Sequence, residues 1–95
     1  MSVDLVLPGA LADLVPGGGR RMAVDVADPA TLRDVLDEVG RRLPGLERRL
    51  RDEQGVLRRH VNVYVDGDDV RTGEGLDHVV GPGAEVLVLP SVAGG

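Results

Sequence analysis

The 95-residue sequence contains no cysteine, lysine, tryptophan or phenylalanine. Without cysteine there is no disulfide framework, no thiolate metal site and no thiol nucleophile. Without lysine there is no Schiff-base chemistry and no side-chain amine to acylate. All 11 basic residues are arginine. Tyr64 is the single aromatic, so aliphatic side chains must build the core. No apolar run approaches the roughly 20 residues that span a bilayer. Met1-Ser2-Val3-Asp4 has no basic signal-peptide segment. A soluble cytoplasmic protein without membrane contact is expected. The formal charge of −5 argues against general nucleic-acid binding. The length predicts one domain with a modest core.

No linker, low-complexity run or internal repeat divides the chain. Over residues 2–7, Val3, Leu5 and Leu7 alternate with Ser2, Asp4 and Val6, the period of a half-buried strand. Pro8-Gly9 ends it, and a short apolar piece, Leu11 to Val15, leads to Pro16-Gly17-Gly18-Gly19, a turn. Arg20 to Ala27 is a second strand, with Met22, Val24 and Val26 on one face, so the two strands read as a hairpin. Asp28 suits a helix N-cap and Pro29 a first helical position. The helix is predicted from Pro29 to about Leu43, with Leu32, Val35, Leu36, Val39 and Leu43 as its apolar stripe. Leu46 to Leu50 suggests one more short turn of helix, and Asp52 to Gly55 a loop. A third strand is expected over about Leu57 to Val65. Asp66-Gly67 is a hairpin turn, and Asp69-Val70-Arg71 a short return strand. A Gly-rich connection then leads to a last strand, Ala84 to Leu89, closed by Pro90. Val86, Leu87, Val88 and Leu89 are apolar in succession, which places the strand centrally or turns one face to a partner. One amphipathic helix over such a sheet is an α+β two-layer domain. Residues 1–90 make the domain, and Ser91-Val92-Ala93-Gly94-Gly95 is left as a flexible tail.

Glycine has no side-chain bulk. A Gly-Gly terminus can therefore thread a narrow enzyme passage and present its carboxylate to a reactive phosphate. The plainer reading of any such end is a frayed terminus. The stretch His60-Val-Asn-Val-Tyr-Val-Asp-Gly-Asp-Asp-Val-Arg71, with Gly83-Ala-Glu-Val-Leu-Val-Leu-Pro-Ser-Val-Ala-Gly-Gly95, resembles the ThiS/MoaD ubiquitin-like sulfur carriers. Within that family it looks most like the CysO-type subgroup, which forms cysteine. The resemblance implies a β-grasp fold, with a mixed four- to five-stranded sheet packed on one main helix. It also implies a carrier that is a protein co-substrate and not an enzyme, and a monomer when free. An E1-like enzyme using ATP and Mg²⁺ would adenylate the Gly95 carboxylate, and a sulfur donor would then displace AMP to leave a thiocarboxylate. A sulfur-acceptor enzyme, cysteine-synthase-like or metabolite-forming, would consume it. The carrier itself would hold no cofactor or metal. Val92, Ala93 and Gly94 would supply reach and fit, while Tyr64 and one alternating pair of the last strand would be gripped by partners. That pair is either Val86 and Val88 or Leu87 and Leu89, and Leu87 and Leu89 are carried forward. The alternatives are a molybdopterin synthase small subunit, a ubiquitin-like modifier joined through Gly95 to amines, and an interaction domain with an incidental Gly-Gly.

Other signals are weaker. Seven arginines fall between Arg41 and Arg59, giving that segment +4 against −9 for the remainder. Such polarity could orient docking, although a solvated helix end and loop is the plainer account. No interleaved aromatic supports RNA stacking there. His60 and His78 have no companions at metal-ligand spacing. Neither Gly-rich turn has the order of a phosphate loop. No nucleophile–base set is apparent.

Overall fold

The computed structural model describes residues 1–90. Its main sheet has five strands: β1 (Ser2–Val6), β2 (Arg21–Asp25), β4 (Val61–Val65), β5 (Asp68–Asp69) and β7 (Glu85–Pro90). Their order across the sheet is β2-β1-β7-β4-β5. β7 runs parallel to β1 and antiparallel to β4, and β1–β2 and β4–β5 are antiparallel hairpins. A separate two-residue pair joins β3 (Ala30–Thr31) to β6 (Val79–Val80). Helices α1 (Leu32–Arg42) and α2 (Pro44–Leu50) connect the first hairpin to the second.

The period-two pattern of the strands becomes a two-faced sheet. Val3, Leu5 and Leu7 point into the core with Met22, Val24, Val61, Val63, Val65, Val86 and Val88. Against them α1 lays Leu32, Val35, Leu36 and Val39, and α2 adds Leu46 and Leu50. Each fully buried Leu or Val contributes about 1.5–3 kcal/mol of transfer free energy. Leu43, the last member of the expected stripe, is only half-buried because it lies between the two helices and caps both.

Four expectations are corrected. Asp28 does not cap the helix. Ala30–Thr31 is drawn into the β3–β6 pair, and α1 starts at Leu32 behind Thr31. The Thr31 side chain accepts from the Asp34 N–H while Asp34 Oδ2 accepts from the Thr31 N–H at 2.9 Å, a reciprocal capping box. The third strand begins at Val61, not Leu57, because Asp52 folds the preceding segment back. Asp52 Oδ1 accepts from the N–H groups of Gln54 and Val56, and Leu57 bridges Arg51. The return strand stops at Asp69. Its carboxylate accepts the Arg71 N–H at 2.9 Å, turning residues 70–72 into a 3-10 turn that buries Val70. Finally, the last strand spans Glu85–Pro90 rather than Ala84 to Leu89: it closes at Pro90 as its final residue, opposite Val61, where the missing N–H costs no interior ladder bond. The hairpin at Asp66-Gly67 forms as read, with both residues at positive φ. Leu46 to Leu50 forms the second helix, which starts two residues earlier than the sequence suggests, at Pro44.

Candidate functional site

β7 carries the chain toward residue 91, and it occupies the centre of the sheet. The hydrogen-bond register settles which of its side chains remain outside. Val86 and Val88 lie over α1 at 1% exposure or less, whereas Leu87 is half-buried and Leu89 is 39% exposed. Leu87 sits between Val6 on β1 and Tyr64 on β4, and Leu89 lies opposite Asn62. Val6, Leu87 and Tyr64 therefore make a row across three strands on the open face, with Leu89 beside it. Polar residues frame the row. Arg21 binds Asp4 at 3.0 Å and Glu85 at 3.5 Å on one side, and Asp69 lies opposite Tyr64 on the other.

The end of β7 borders a second feature that the sequence reading did not identify. Leu89 and Pro90, with Pro8, Leu11, Arg49 and His60, wall a small, mainly apolar cavity of about 190 Å³. Arg49 and His60 also line an adjoining cleft with Arg48 and Arg58. The cavity arises because parallel β1–β7 pairing puts Pro8 next to the end of β7, while Arg58 Nε donates to the Arg48 carbonyl at 2.6 Å and holds the approach to β4 against α2. No local periodicity signals that juxtaposition. Local pattern does not single out Val6 for a similar reason, since its partner Leu87 lies 81 positions further along the chain.

The arginine-rich segment divides into structural and free cations. Arg51 is buried, binding Asp37 at 2.9 Å and also Glu47. Burial works against its charge, but the hydrogen bonds and proximity of the two carboxylates outweigh it, leaving the pKa above its ordinary value. Arg41 pairs with Glu38, and Arg42 donates to the Ala23 carbonyl at 3.1 Å. Arg48, Arg49, Arg58 and Arg59 have no carboxylate within 4.0 Å among the described residues.

Among the described residues no three His, Asp or Glu side chains converge to hold a metal. No helix among them is long and apolar enough to cross a membrane. Tyr64, Leu87 and Leu89 thus share one open sheet face, while Val92, Ala93, Gly94 and Gly95 lie outside the described residues.

A five-stranded mixed sheet of this order over one main helix defines the ubiquitin-like β-grasp class. The ThiS family profile matches residues 5–95, and the chain belongs to that family. The sulfur carrier protein CysO of Mycobacterium tuberculosis is 36% identical, with all of both chains covered. Small archaeal modifier protein 1 of Haloferax volcanii is 36% identical, covering 88% of this chain and 93% of that protein. Its crystal structure superposes with a TM-score of 0.81 over all of both chains, at 32% identity. The crystal structure of the BexX/CysO complex of Amycolatopsis orientalis matches with a TM-score of 0.79 and 36% identity, covering 98% of this chain and 99% of that one. The ThiS family comprises sulfur carriers and small modifiers. Its carriers are co-substrates rather than enzymes, and they act with E1-like activating enzymes.

Proposed function

We propose that this chain is a cytoplasmic sulfur carrier activated at Gly95, which serves cysteine or sulfur-containing metabolite formation. The observation that carries the reading is the match to the sulfur carrier CysO across the whole of both chains, together with a family match that runs to Gly95. A carboxylate is a poor acylating agent because oxide is a poor leaving group. An E1-like partner holding ATP and Mg²⁺ overcomes this. A Gly95 carboxylate oxygen attacks the α-phosphorus, pyrophosphate leaves, and an acyl adenylate forms. Hydrosulfide then attacks the acyl carbon, and AMP and a proton leave. The product is a thiocarboxylate whose ionised sulfur attacks an electrophilic carbon on the acceptor enzyme's substrate. Val92, Ala93 and Gly94 give the carboxylate slender reach. The row formed by Leu87, Tyr64 and Val6, with Leu89 beside it, is the apolar surface that both partners grip.

The similarity to small archaeal modifier protein 1 favours a second reading, in which activated Gly95 acylates amines of other proteins. The two readings separate by product. The chain is incubated with ATP, Mg²⁺, the E1-like enzyme of the same organism and sulfide, beside a variant lacking Gly95. A mass gain equal to exchanging one oxygen for sulfur, confined to the full-length chain, is the expected result. Amide conjugates that survive thiol, without a thiocarboxylate, establish the modifier reading instead.

A further inference from the structure

The guanidinium groups of this protein are not distributed evenly between paired and free. Arg21, Arg33, Arg41 and Arg51 each bind a carboxylate. Arg20, Arg42, Arg58 and Arg71 donate to backbone carbonyls. Arg59 is exposed and does neither among the described residues, and the same holds for Arg48 and Arg49. Arg48 and Arg49 share a cleft with Arg58 and His60, and through Arg49 and His60 that cleft joins the cavity walled by Leu89 and Pro90. A cationic cluster thus stands beside the point where the chain passes to residue 91, in a protein whose formal charge is −5.

We propose that Arg48, Arg49 and Arg58 dock on an acidic rim around the passage through which the activating enzyme receives residues 91–95. The inference rests on the carrier reading above and deepens it by naming the partner's surface. Any enzyme that draws in the chain beyond Pro90 must set its rim against the residues beside Pro90, and Arg49 is among them. The rest of the molecule is strongly acidic, so an acidic rim is attracted in one orientation and repelled in the others. Such a polarity steers encounter and fixes register. A nucleic acid is the poorer occupant. Its charge extends well past the cluster into acidic surface, and Tyr64, the only aromatic available for stacking, faces the open side of the sheet opposite Leu87.

The test is the rate of thiocarboxylate formation against carrier concentration, read by intact mass, with the E1-like enzyme, ATP, Mg²⁺ and sulfide. Salt is varied between about 0.05 and 0.5 M, across which the Debye length falls from well above 10 Å to a few ångströms. Arg48→Glu/Arg49→Glu is compared with Arg41→Glu/Arg42→Glu, which changes the net charge equally but lies beside β2. Thermal denaturation confirms that both variants fold, and Arg48→Gln/Arg49→Gln supplies a neutral version. The Arg48/Arg49 reversal is expected to raise KM roughly tenfold at low salt, with kcat unchanged, and to flatten the salt dependence seen for the parent. The neutral version falls between them, and the Arg41/Arg42 variant stays within about twofold of the parent. If the parent forms thiocarboxylate but the two charge reversals share one KM and one salt slope, the docking surface is wrong and the carrier reading stands. If the parent forms none, both fail.

Discussion

Tyr64 and Leu87 face each other directly across the antiparallel β4–β7 pair, on the side of the sheet away from α1. Their neighbours in sequence, Val63, Val65, Val86 and Val88, are all buried beneath the helix. This single register joins the only aromatic residue to the strand that leads to Gly95. It also makes the open face apolar at its centre and charged at its edge, where Arg21 bridges Asp4 and Glu85.

Tyr64→Ala and Leu87→Asp are expected to weaken binding to the E1-like enzyme by roughly tenfold or more, as truncation at the centre of an interface does. Neither side chain supports the core, so each variant loses no more than about 1 kcal/mol of stability. Calorimetric titration with the enzyme, paired with thermal denaturation, checks both halves. Unchanged affinity for both variants would remove this face from the interface.

Neighbouring positions on β7 should respond oppositely to the same substitution. Val88→Asp places an unpaired carboxylate under α1 and is expected to cost several kcal/mol, enough to unfold a small domain. Leu89→Asp points outward and is expected to shift stability by about 0.5 kcal/mol or less. Urea denaturation distinguishes them. Equal destabilisation would contradict the burial of Val88 against the exposure of Leu89.

The helix cap offers a direct contrast between Thr31 and Asp28. Thr31→Ala removes half of a reciprocal capping box and is expected to cost about 1 kcal/mol. That lowers the melting temperature by roughly 4–8 °C in a domain of this size. Asp28→Ala lies outside the cap and should change stability by no more than about 0.5 kcal/mol. A larger loss at Asp28 than at Thr31 would place the helix start at Pro29.

Arg51 joins α2 to α1 through Glu47 and Asp37. Arg51→Ala leaves both acids without their partner and is expected to cost about 1–3 kcal/mol, less than a fully buried pair because the Asp37 side chain is 56% exposed. Arg51→Met keeps most of the packing and loses less. The pKa of Arg51 is raised on folding, so its contribution is complete below its unfolded value and is lost only as pH rises through the folded one. Both lie far above neutrality. The difference in melting temperature between the parent and Arg51→Met should therefore show no dependence on this group's titration between about pH 6 and 9.

Much of the fold was legible because it is written in short-range periods. The alternation of Val3, Leu5 and Leu7 needs only a period of two, and Leu32, Val35, Leu36 and Val39 only a helical period, so each element announced its own buried side. Asp66-Gly67 announced its turn through local backbone preference. The helix start was less legible. Asp28-Pro29 and Thr31 with Asp34 are both acceptable local caps, and β6, nearly fifty residues away, recruits Ala30–Thr31 and decides between them. The arginines were legible as a charge count but not as roles. Whether Arg51 is buried, or Arg49 without a carboxylate partner among the described residues, depends on which acids the packing of α1 on α2 brings near.

The same division runs through the candidate site. By itself the sequence determined the β-grasp elements, the family to which the chain belongs, and the Gly94-Gly95 ending on which its proposed chemistry rests, since these are properties of local pattern and of residues in order. The tertiary structure alone decided which face of β7 is open. Val86, Leu87, Val88 and Leu89 are all apolar, so their succession carries no parity. Parity came from the register of β7 between β1 and β4, which sets Leu87 against Val6 and Tyr64 and turns Val86 and Val88 toward the helix. The cationic cleft beside Pro90 is likewise tertiary in origin: parallel pairing of the first and last strands brings residues 8–11 to the end of β7, and the Arg58–Arg48 bond sets residues 48–49 and 58–60 beside it.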